Sequence, residues 1–273
     1  MDPVRTVDNL AWRAGRLLAG GRAIPEETAV AFSYNGSSYA VMMATPRDLE
    51  DFAVGFSISE RIVAAPDDIE TLDIIEQDIG IELRMRLKEP HASALHERRR
   101  HLAGPTGCGL CGIESLEGAM RAPAPIADEV AFSPQDVMRA LHSLEGLQTI
   151  YAQTRAVHGA AFYSPAQGLV AMREDVGRHN ALDKLVGALV RRRLRGADGF
   201  ALVTSRLSVE MIQKAAAIGI PVLAAVSAPT ALAVRTAQAA GMTLIAVARQ
   251  DGFEIFTHPY RIKEERALHV VAG

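Results

Sequence analysis

The sequence predicts an α/β protein in which a C-terminal α/β/α sandwich with a mixed sheet follows a smaller N-terminal α+β domain. From residue 157 onward, short apolar runs of strand character alternate with helical segments, an order that favours a sheet covered by helices. Up to residue 87, strands instead come in pairs around short turns, with one helix between the pairs. The boundary is expected in the proline-containing segment 121–134, which divides the chain into residues 1–126 and 127–273.

Two hairpins and one helix are predicted in the N-terminal domain. An Asn-Gly dipeptide at 35–36, flanked by alternating segments, is typical of a two-residue hairpin turn. Thr45 is the expected N-cap of the helix, and Pro46 suits its first position. Phe52 and Phe56 recur at helical spacing and predict a buried face. The strands of the two hairpins are predicted at 28–34, 38–44, 69–76 and 79–87.

The C-terminal domain is predicted from strands and helices that alternate along the chain. Its first two strands flank a Ser-Pro…Gly turn and form a hairpin. The strands at 200–204, 221–226 and 243–247 each follow a helix, so the sheet is expected to be largely parallel. Gly219 and Gly241 stand where a left-handed residue ends a helix. The predicted strands are 157–163, 169–173, 200–204, 221–226, 243–247 and 253–256, and the predicted helices are 181–194, 208–218 and 229–239.

Composition and charge restrict the class of function. The 273-residue chain is 49% hydrophobic and 22% charged, which is ordinary for a globular protein. Its formal net charge of −3 argues against a general nucleic-acid binder. No apolar run reaches the length of a membrane span, and the N-terminus lacks the apolar core of a signal peptide. A cytoplasmic protein that contacts neither nucleic acid nor membrane is therefore expected.

The chain has two cysteines, Cys108 and Cys111, and both lie in the glycine-rich segment 106–112. This C-x-x-C spacing lets both sulfurs act on one metal, one disulfide or one transferred atom. A structural zinc site needs four ligands, and the upstream histidines at five-residue spacing match no common zinc module. A thioredoxin-like exchanger needs the pair at a helix N-terminus directly after a strand, whereas this pair follows a charged segment. Both alternatives stay open on the residues alone.

A zinc deaminase and a sulfur carrier are two further interpretations of the cysteine pair. The order of the predicted C-terminal elements is similar to that of the cytidine-deaminase sandwich. However, the segment 158–160, His-Gly-Ala, lacks the glutamate that deaminase chemistry requires. Glycines on both sides of the cysteines favour a mobile loop that carries a persulfide between a donor and an acceptor. The second thiol could release the sulfur by forming a disulfide, and an inert pair is the remaining alternative.

Three loops at one edge of the predicted C-terminal sheet suit an anionic ligand. Ligands of parallel sheets usually bind beyond the carboxyl ends of the strands, where loops enter helices. Free backbone N–H groups in these loops, with hydroxyl and guanidinium donors, suit a phosphate or an oxyanion. In the alternative interpretation, the hydroxyls cap helices and the arginines make surface ion pairs. The candidate side chains are Arg178, Ser205, Arg206 and Thr230.

Two motifs and several shorter segments are specific enough to indicate a family. The motifs are Thr-Gly-Cys-Gly-Leu-Cys-Gly at 106–112 and Glu-Asp-Val-Gly-Arg-His-Asn at 174–180, and the matching segment of the second motif continues to Lys184. The shorter segments are 34–36, 41–44, 46–50, 102–104, 158–161, 204–206 and 257–259. With these segments in family order over nearly the whole chain, the sequence resembles the FdhD family, accessory sulfurtransferases for molybdenum-dependent formate dehydrogenases.

The resemblance implies a function, partners and site residues. A cysteine desulfurase would supply sulfur, and the protein would pass it to the bis-molybdopterin guanine dinucleotide cofactor before that cofactor is inserted into formate dehydrogenase. Cys108 would bear the persulfide as an intermediate, and Cys111 would assist transfer or release. The family is also homodimeric. Its cofactor-contact segment falls on Val247, Ala248, Arg249, Gln250, Asp251 and Gly252.

The implied cargo fits the chemistry of the predicted sheet edge. The cofactor ends in guanine nucleotides with pyrophosphates, which arginines and free backbone N–H groups bind well. It is bound as substrate, and no permanently bound metal is expected. Two alternative functions are a cofactor-binding chaperone whose cysteines do no chemistry and a thiol-disulfide oxidoreductase.

Overall fold

The computed structural model describes residues 1–93, 95, 122–127, 130–144 and 146–264. Within these ranges the chain forms three sheets, of two, four and six strands. The strands are β1 (Val4–Arg13), β2 (Arg16–Pro25), β3 (Thr28–Tyr34), β4 (Ser37–Ala44), β5 (Ile69–Gln77), β6 (Gly80–Leu87), β7 (His158–Ser164), β8 (Gly168–Asp175), β9 (Phe200–Val203), β10 (Val222–Ala225), β11 (Thr243–Arg249) and β12 (Gly252–Thr257). The helices are α1 (Leu49–Ser59), α2 (Pro134–Leu144), α3 (Thr149–Thr154), α4 (Arg178–Arg191), α5 (Val209–Ala217) and α6 (Ala231–Ala240).

The six-stranded sheet is the centre of a three-layer α/β/α sandwich. Its strand order is β12-β11-β10-β9-β7-β8. Strands β9, β10 and β11 are parallel, whereas β7 pairs antiparallel with β8 and β9, and β12 pairs antiparallel with β11. Apolar residues of α4, α5 and α6 form the core on one face, and residues of α2 form a second core on the other. The predicted sandwich with a mixed sheet is therefore confirmed.

The four-stranded sheet and α1 form the smaller α+β unit. Its strand order is β4-β3-β6-β5, so both predicted hairpins are present and are joined by the parallel pair β3 and β6. Helix α1 packs on this sheet through aromatic residues. The Phe32 ring centroid lies 4.9 Å from that of Phe52 and 4.1 Å from that of Phe56. The predicted buried face of the helix is confirmed.

Helices α1 and α4 join the two units by direct backbone contact. A Cβ atom built on Gly55 would lie 1.7 Å from the carbonyl oxygen of Asp183, and one on Gly187 would lie 1.9 Å from the carbonyl oxygen of Asp51. Only glycine permits such an approach, since any side chain would overlap the facing helix. The contact fixes the middle of α4 against α1 of the N-terminal part of the chain.

The start of α1 differs from the prediction. The helix begins at Leu49, and its N-cap is Asp48, which has a left-handed backbone with a φ of 55°. Thr45 is not the cap, because its side chain accepts a hydrogen bond from the Val176 N–H at 3.1 Å. Its own N–H donates to Asp175 at 3.0 Å. Contacts with a segment 130 residues away therefore override the local capping pattern.

Other parts of the fold have no counterpart among the predicted elements. The hairpin β1–β2 and the helices α2 and α3 lie in stretches for which no element is predicted. The division between residues 126 and 127 stays a prediction, although Ile126 is buried in the core of the larger sheet and donates to Ala240 O at 2.8 Å. In the described ranges, no helix is both long and apolar enough to span a membrane.

Candidate functional site

A cleft of about 950 Å³ lies at the carboxyl edge of the six-stranded sheet. Strands β8 to β11 all end at this edge, and β7, which runs the opposite way, begins there. The sheet side of the cleft is lined by His158, Thr204, Val226, Ala248, Arg249 and Gln250. The helical side includes Leu141, His142, Leu144, Gln148, Tyr151, Ala152 and Arg155, from α2, α3 and the residues next to them. The position agrees with the edge that the sequence predicts for ligand binding.

An irregularity in β11 lies in the segment that the family resemblance predicts to contact the cofactor. Pairing between β11 and β12 shifts register between Ala246 and Arg249. Val247, in this interval, has a left-handed backbone with a φ of 53°, which is rare for a β-branched residue. The following Arg249 donates from Nη1 to the carbonyl oxygens of Val226 and Ala248. These bonds hold the guanidinium over the end of β10, at the floor of the cleft.

Helices α2 and α3 form the wall that the sequence analysis missed. The wall is apolar at Leu141 and Leu144, and it presents the ring of Tyr151. The Arg155 guanidinium lies over that ring, 5.1 Å from its centroid. A flat aromatic face beside a guanidinium suits a nucleobase next to a phosphate.

A capping pattern at the start of α2 could have revealed this wall. The Ser133 N–H donates to Asp136 Oδ2 at 2.9 Å, and the Asp136 N–H donates to Ser133 Oγ at 3.1 Å. This is the reciprocal pattern of a capping box, readable in sequence as Ser-Pro-Gln-Asp before an apolar run. The pattern predicts the helix, but it does not predict which sheet edge the helix faces.

The ionisable side chains of the cleft favour an anionic ligand. Two arginines, Arg155 and Arg249, and two histidines, His142 and His158, line it, and none of its lining residues in the described ranges is Asp or Glu. Burial lowers the pKa of His158, the nearby charge of Arg178 lowers it further, and Asp175 opposes both effects. The cleft therefore carries positive charge from its arginines without needing protonated histidine.

Glu174 fixes the helical wall of the cleft. This buried carboxylate at the end of β8 accepts hydrogen bonds from the N–H groups of Ile150 and Tyr151, both at 2.8 Å, and from Thr149 Oγ1 at 3.3 Å. A carboxylate at a helix N-terminus satisfies backbone donors that have no partner within the helix. Glu174 thereby holds α3, and with it Tyr151, at the sheet edge.

Asp175, the next residue, holds α4 and the N-terminal loop at Thr45 against the end of β8. It accepts hydrogen bonds from Lys184 Nζ at 2.6 Å and from the Thr45 N–H at 3.0 Å. It also accepts from the Gly177 N–H at 2.8 Å and from Asn180 Nδ2 at 2.9 Å. Neither the Lys184 nor the Asp175 side chain has exposed surface. Burial lowers the pKa of Lys184, and the Asp175 charge opposes this shift. The specific motif at 174–180 thus positions both helices that flank the sheet edge.

The structure brings some of the predicted site residues together and gives others local roles. Ala248, Arg249 and Gln250 line the cleft, whereas Val247 packs against the core of the sandwich. Asp251 lies in the turn between β11 and β12, and Gly252 is the first residue of β12. Their role in cofactor binding stays a prediction. Both cysteines, Cys108 and Cys111, lie outside the described residues.

The hydroxyls of the predicted phosphate loops have partners within the protein. Thr230 caps α6 and accepts a hydrogen bond from the Ala233 N–H at 3.1 Å, as in the capping alternative. Ser205 is buried, and its Oγ donates to Arg206 O at 3.1 Å. Arg206 is exposed, and Arg178 is the first residue of α4, close enough to His158 to affect its pKa. A ligand at this edge would meet arginines rather than free hydroxyls.

A chain with this sandwich and α+β unit matches a family of known proteins over most of its length. The FdhD/NarQ family model matches residues 25–263, and the chain belongs to this family. It is 52% identical to the sulfur carrier protein FdhD of Agrobacterium fabrum, over 94% of this chain and 96% of that protein. It is 51% identical to the sulfur carrier protein FdhD of Brucella abortus, over 95% of this chain and 97% of that protein. It is 47% identical to the sulfur carrier protein FdhD of Cupriavidus necator, over 94% of this chain and 89% of that protein.

A solved structure has the same fold. A protein from Desulfotalea psychrophila, provisionally described as a formate dehydrogenase accessory protein, superposes with a TM-score of 0.76 at 23% identity. The match covers 96% of this chain and all of that one. The family resemblance and the fold class expected from the sequence are both confirmed.

Proposed function

We propose that this chain is a sulfur carrier for the maturation of formate dehydrogenase. The observation that carries the proposal is its similarity, over nearly its full length, to proteins named sulfur carrier protein FdhD. The chain's only two cysteines, Cys108 and Cys111, fall within the motif at 106–112 that carries the family resemblance. In this proposal the sulfur donor is a cysteine desulfurase, and the acceptor is the bis-molybdopterin guanine dinucleotide cofactor.

Loading is a sulfur transfer without net oxidation. The Cys108 thiolate attacks the terminal sulfur of a persulfide on the desulfurase, so that a new S–S bond forms and the donor cysteine leaves as a thiolate. For release, the Cys111 thiolate attacks Cys108 Sγ, which frees the terminal sulfur as hydrosulfide and leaves a Cys108–Cys111 disulfide. A cellular dithiol then reduces this disulfide and returns both thiols.

The cationic cleft supports a role in holding the cargo. Its volume of about 950 Å³ is in the range of sites for ligands of nucleotide size. Arg249 and Arg155 suit a diphosphate, and the Tyr151 ring lies where a base could stack. The expected preference for guanine comes from the implied cargo.

Mass spectrometry of the protein after incubation with a desulfurase and cysteine tests the carrier role. We expect a gain of about 32 Da on the peptide containing Cys108, removed by dithiothreitol. The matched variants are Cys108→Ser, which should lose the gain, and Cys111→Ser, which should keep it. A disulfide without any added sulfur would favour the oxidoreductase, and unmodified thiols in a protein that still binds guanosine diphosphate would favour the chaperone.

The proposal includes a cytoplasmic homodimer. Sedimentation of the purified full chain at the mass of two subunits would support it. A monomer that still acquires sulfur on Cys108 would show that the carrier role does not require a second subunit.

A further inference from the structure

Arg178 lies at the carboxyl edge of the sheet without a partner for part of its guanidinium. It is the first residue of α4, directly after the loop that follows β8. Its Nε is buried and has no hydrogen-bond acceptor among the residues that the structure describes. Leaving such a donor unpaired in a buried position costs free energy. An anionic ligand would remove this cost by supplying the acceptor.

Of the carboxylates on the neighbouring elements, Asp175 has other partners, whereas Glu210 interacts electrostatically with both His179 and Arg178. Asp175 accepts hydrogen bonds from four donors, Lys184 Nζ among them. Glu210 Oε2, at the start of α5, lies 3.9 Å from His179 Nε2. Burial, followed by the Arg178 charge, lowers the pKa of both His158 and His179. The two histidines beside it are consequently neutral at pH 7, and Arg178 supplies the positive charge that faces them.

His158 connects Arg178 with the cleft. It is the first residue of β7, pairs with Asp175 across the sheet, and lines the cleft. The strand order then places residues in a row along the edge. The row begins with Arg249 at the end of β11 and ends with Arg178, which follows β8. Between them lie, in order, Val226 after β10, Thr204 after β9 and His158 on β7. Four strand spacings, or about 19 Å at roughly 4.8 Å for each, separate β11 from β8. The Arg249 guanidinium reaches from β11 over the end of β10, so it lies nearer to Arg178 than β11 does.

We propose that Arg178 and His158 form a second anion subsite, which binds a phosphate-type group at the opposite end of the sheet edge from Arg249. A ligand with two anionic groups could then contact both arginines across the cleft. That this ligand is the cofactor, with its two diphosphates, rests on the proposed function. The existence of the anion subsite does not, because it follows from the buried donor and the position of His158.

Titration of His158 by NMR, with inorganic pyrophosphate as the probe, tests the subsite. The full chain has eight histidines, and His158→Gln assigns the resonance. A bound anion next to His158 favours the imidazolium, so pyrophosphate should raise the pKa of His158 in the wild-type chain. Arg178→Gln should abolish this rise and should weaken pyrophosphate binding at this subsite by about tenfold or more. No rise in the wild-type chain would overturn the proposal, whether or not the variant folds.

Two further variants separate this subsite from the rest of the edge. Arg193→Gln, an exposed position just after α4, should leave the rise unchanged. Arg249→Gln should also preserve it, since the second subsite acts at the other end of the edge. If pyrophosphate no longer raised the pKa of His158 in Arg249→Gln, then Arg178 and Arg249 would belong to one shared anion site, and the proposal of a second subsite would be wrong. Absence of persulfide on Cys108 would instead contradict the proposed function and would leave this test unaffected.

Discussion

Lys184→Met should destabilise the protein by about 3 kcal/mol. Lys184 Nζ donates to Asp175 at 2.6 Å and to Thr45 O at 2.8 Å, and both members of the ion pair are fully buried. Breaking a buried pair by removing one partner costs about 3–5 kcal/mol, because the other charge stays buried. We expect the lower value, since Asp175 would still accept hydrogen bonds from Thr45, Gly177 and Asn180.

Urea unfolding of the full chain, followed by circular dichroism, measures this loss. With a slope of about 1–3 kcal/mol/M, a loss of about 3 kcal/mol lowers the midpoint by roughly 1–3 M. Lys263→Met removes an exposed lysine and should change the free energy of unfolding by less than about 0.5 kcal/mol. A loss below about 1 kcal/mol in Lys184→Met, at an unchanged slope, would refute the reasoning.

Three other perturbations have defined outcomes. Gly187→Ala should lower the free energy of unfolding in urea by at least about 1–3 kcal/mol, because the added methyl group would overlap the Asp51 carbonyl. The control Gly146→Ala places its methyl group in open space and should leave the free energy of unfolding unchanged. Tyr151→Leu should weaken guanosine diphosphate binding about tenfold in calorimetry, and Tyr151→Phe, which keeps the ring, should not; equal affinities would exclude stacking. His179→Gln should flatten the pH dependence of stability. Burial, followed by the Arg178 charge, lowers the pKa of His179 to about 4. The folded chain therefore binds a proton at His179 less readily than the unfolded chain does, so the folded state loses stability as the pH falls from 6.5 towards 4. The urea midpoint is measured at pH 7 and at pH 4.5 in both proteins. A drop between the two pH values that is equal in the variant and the wild type would contradict this prediction.

The alternation of strands and helices could be predicted from the sequence because it depends on local periodicity. All ten predicted strands, β3 to β12, start within one residue of the predicted positions. Gly241 has the left-handed backbone, with a φ of 70°, that its position after α6 predicts. The start of α1 could not be predicted in this way. Thr45 is a residue type that often caps helices, but its hydrogen bonds join it to Asp175 and Val176 at the end of β8. No local sequence pattern encodes this contact.

The candidate site could be predicted only in part, for a related reason. The sheet edge follows from the order of elements, and Arg249 was placed there by family resemblance. The helical wall of the cleft comes from α2 and α3, and its position depends on Glu174, which is about two dozen residues away in sequence. The hydroxyls of Ser205 and Thr230 have the right chemistry for phosphate, yet their hydrogen bonds lie within their own loops. Residue type alone does not distinguish a free donor from a satisfied one.

The same consideration governs how mutations in the motif at 174–180 should be interpreted. Glu174 holds the cleft wall, Asp175 holds α4 and the N-terminal loop, and Arg178, three residues on, is the one with an unpaired buried donor. Loss of activity in a Glu174 or Asp175 variant is therefore expected from displacement of α3 or α4, whatever these residues do for a ligand. Replacing Arg178 breaks no hydrogen bond of its Nε among the described residues, so we expect its variants to affect ligand binding more than the stability of the fold.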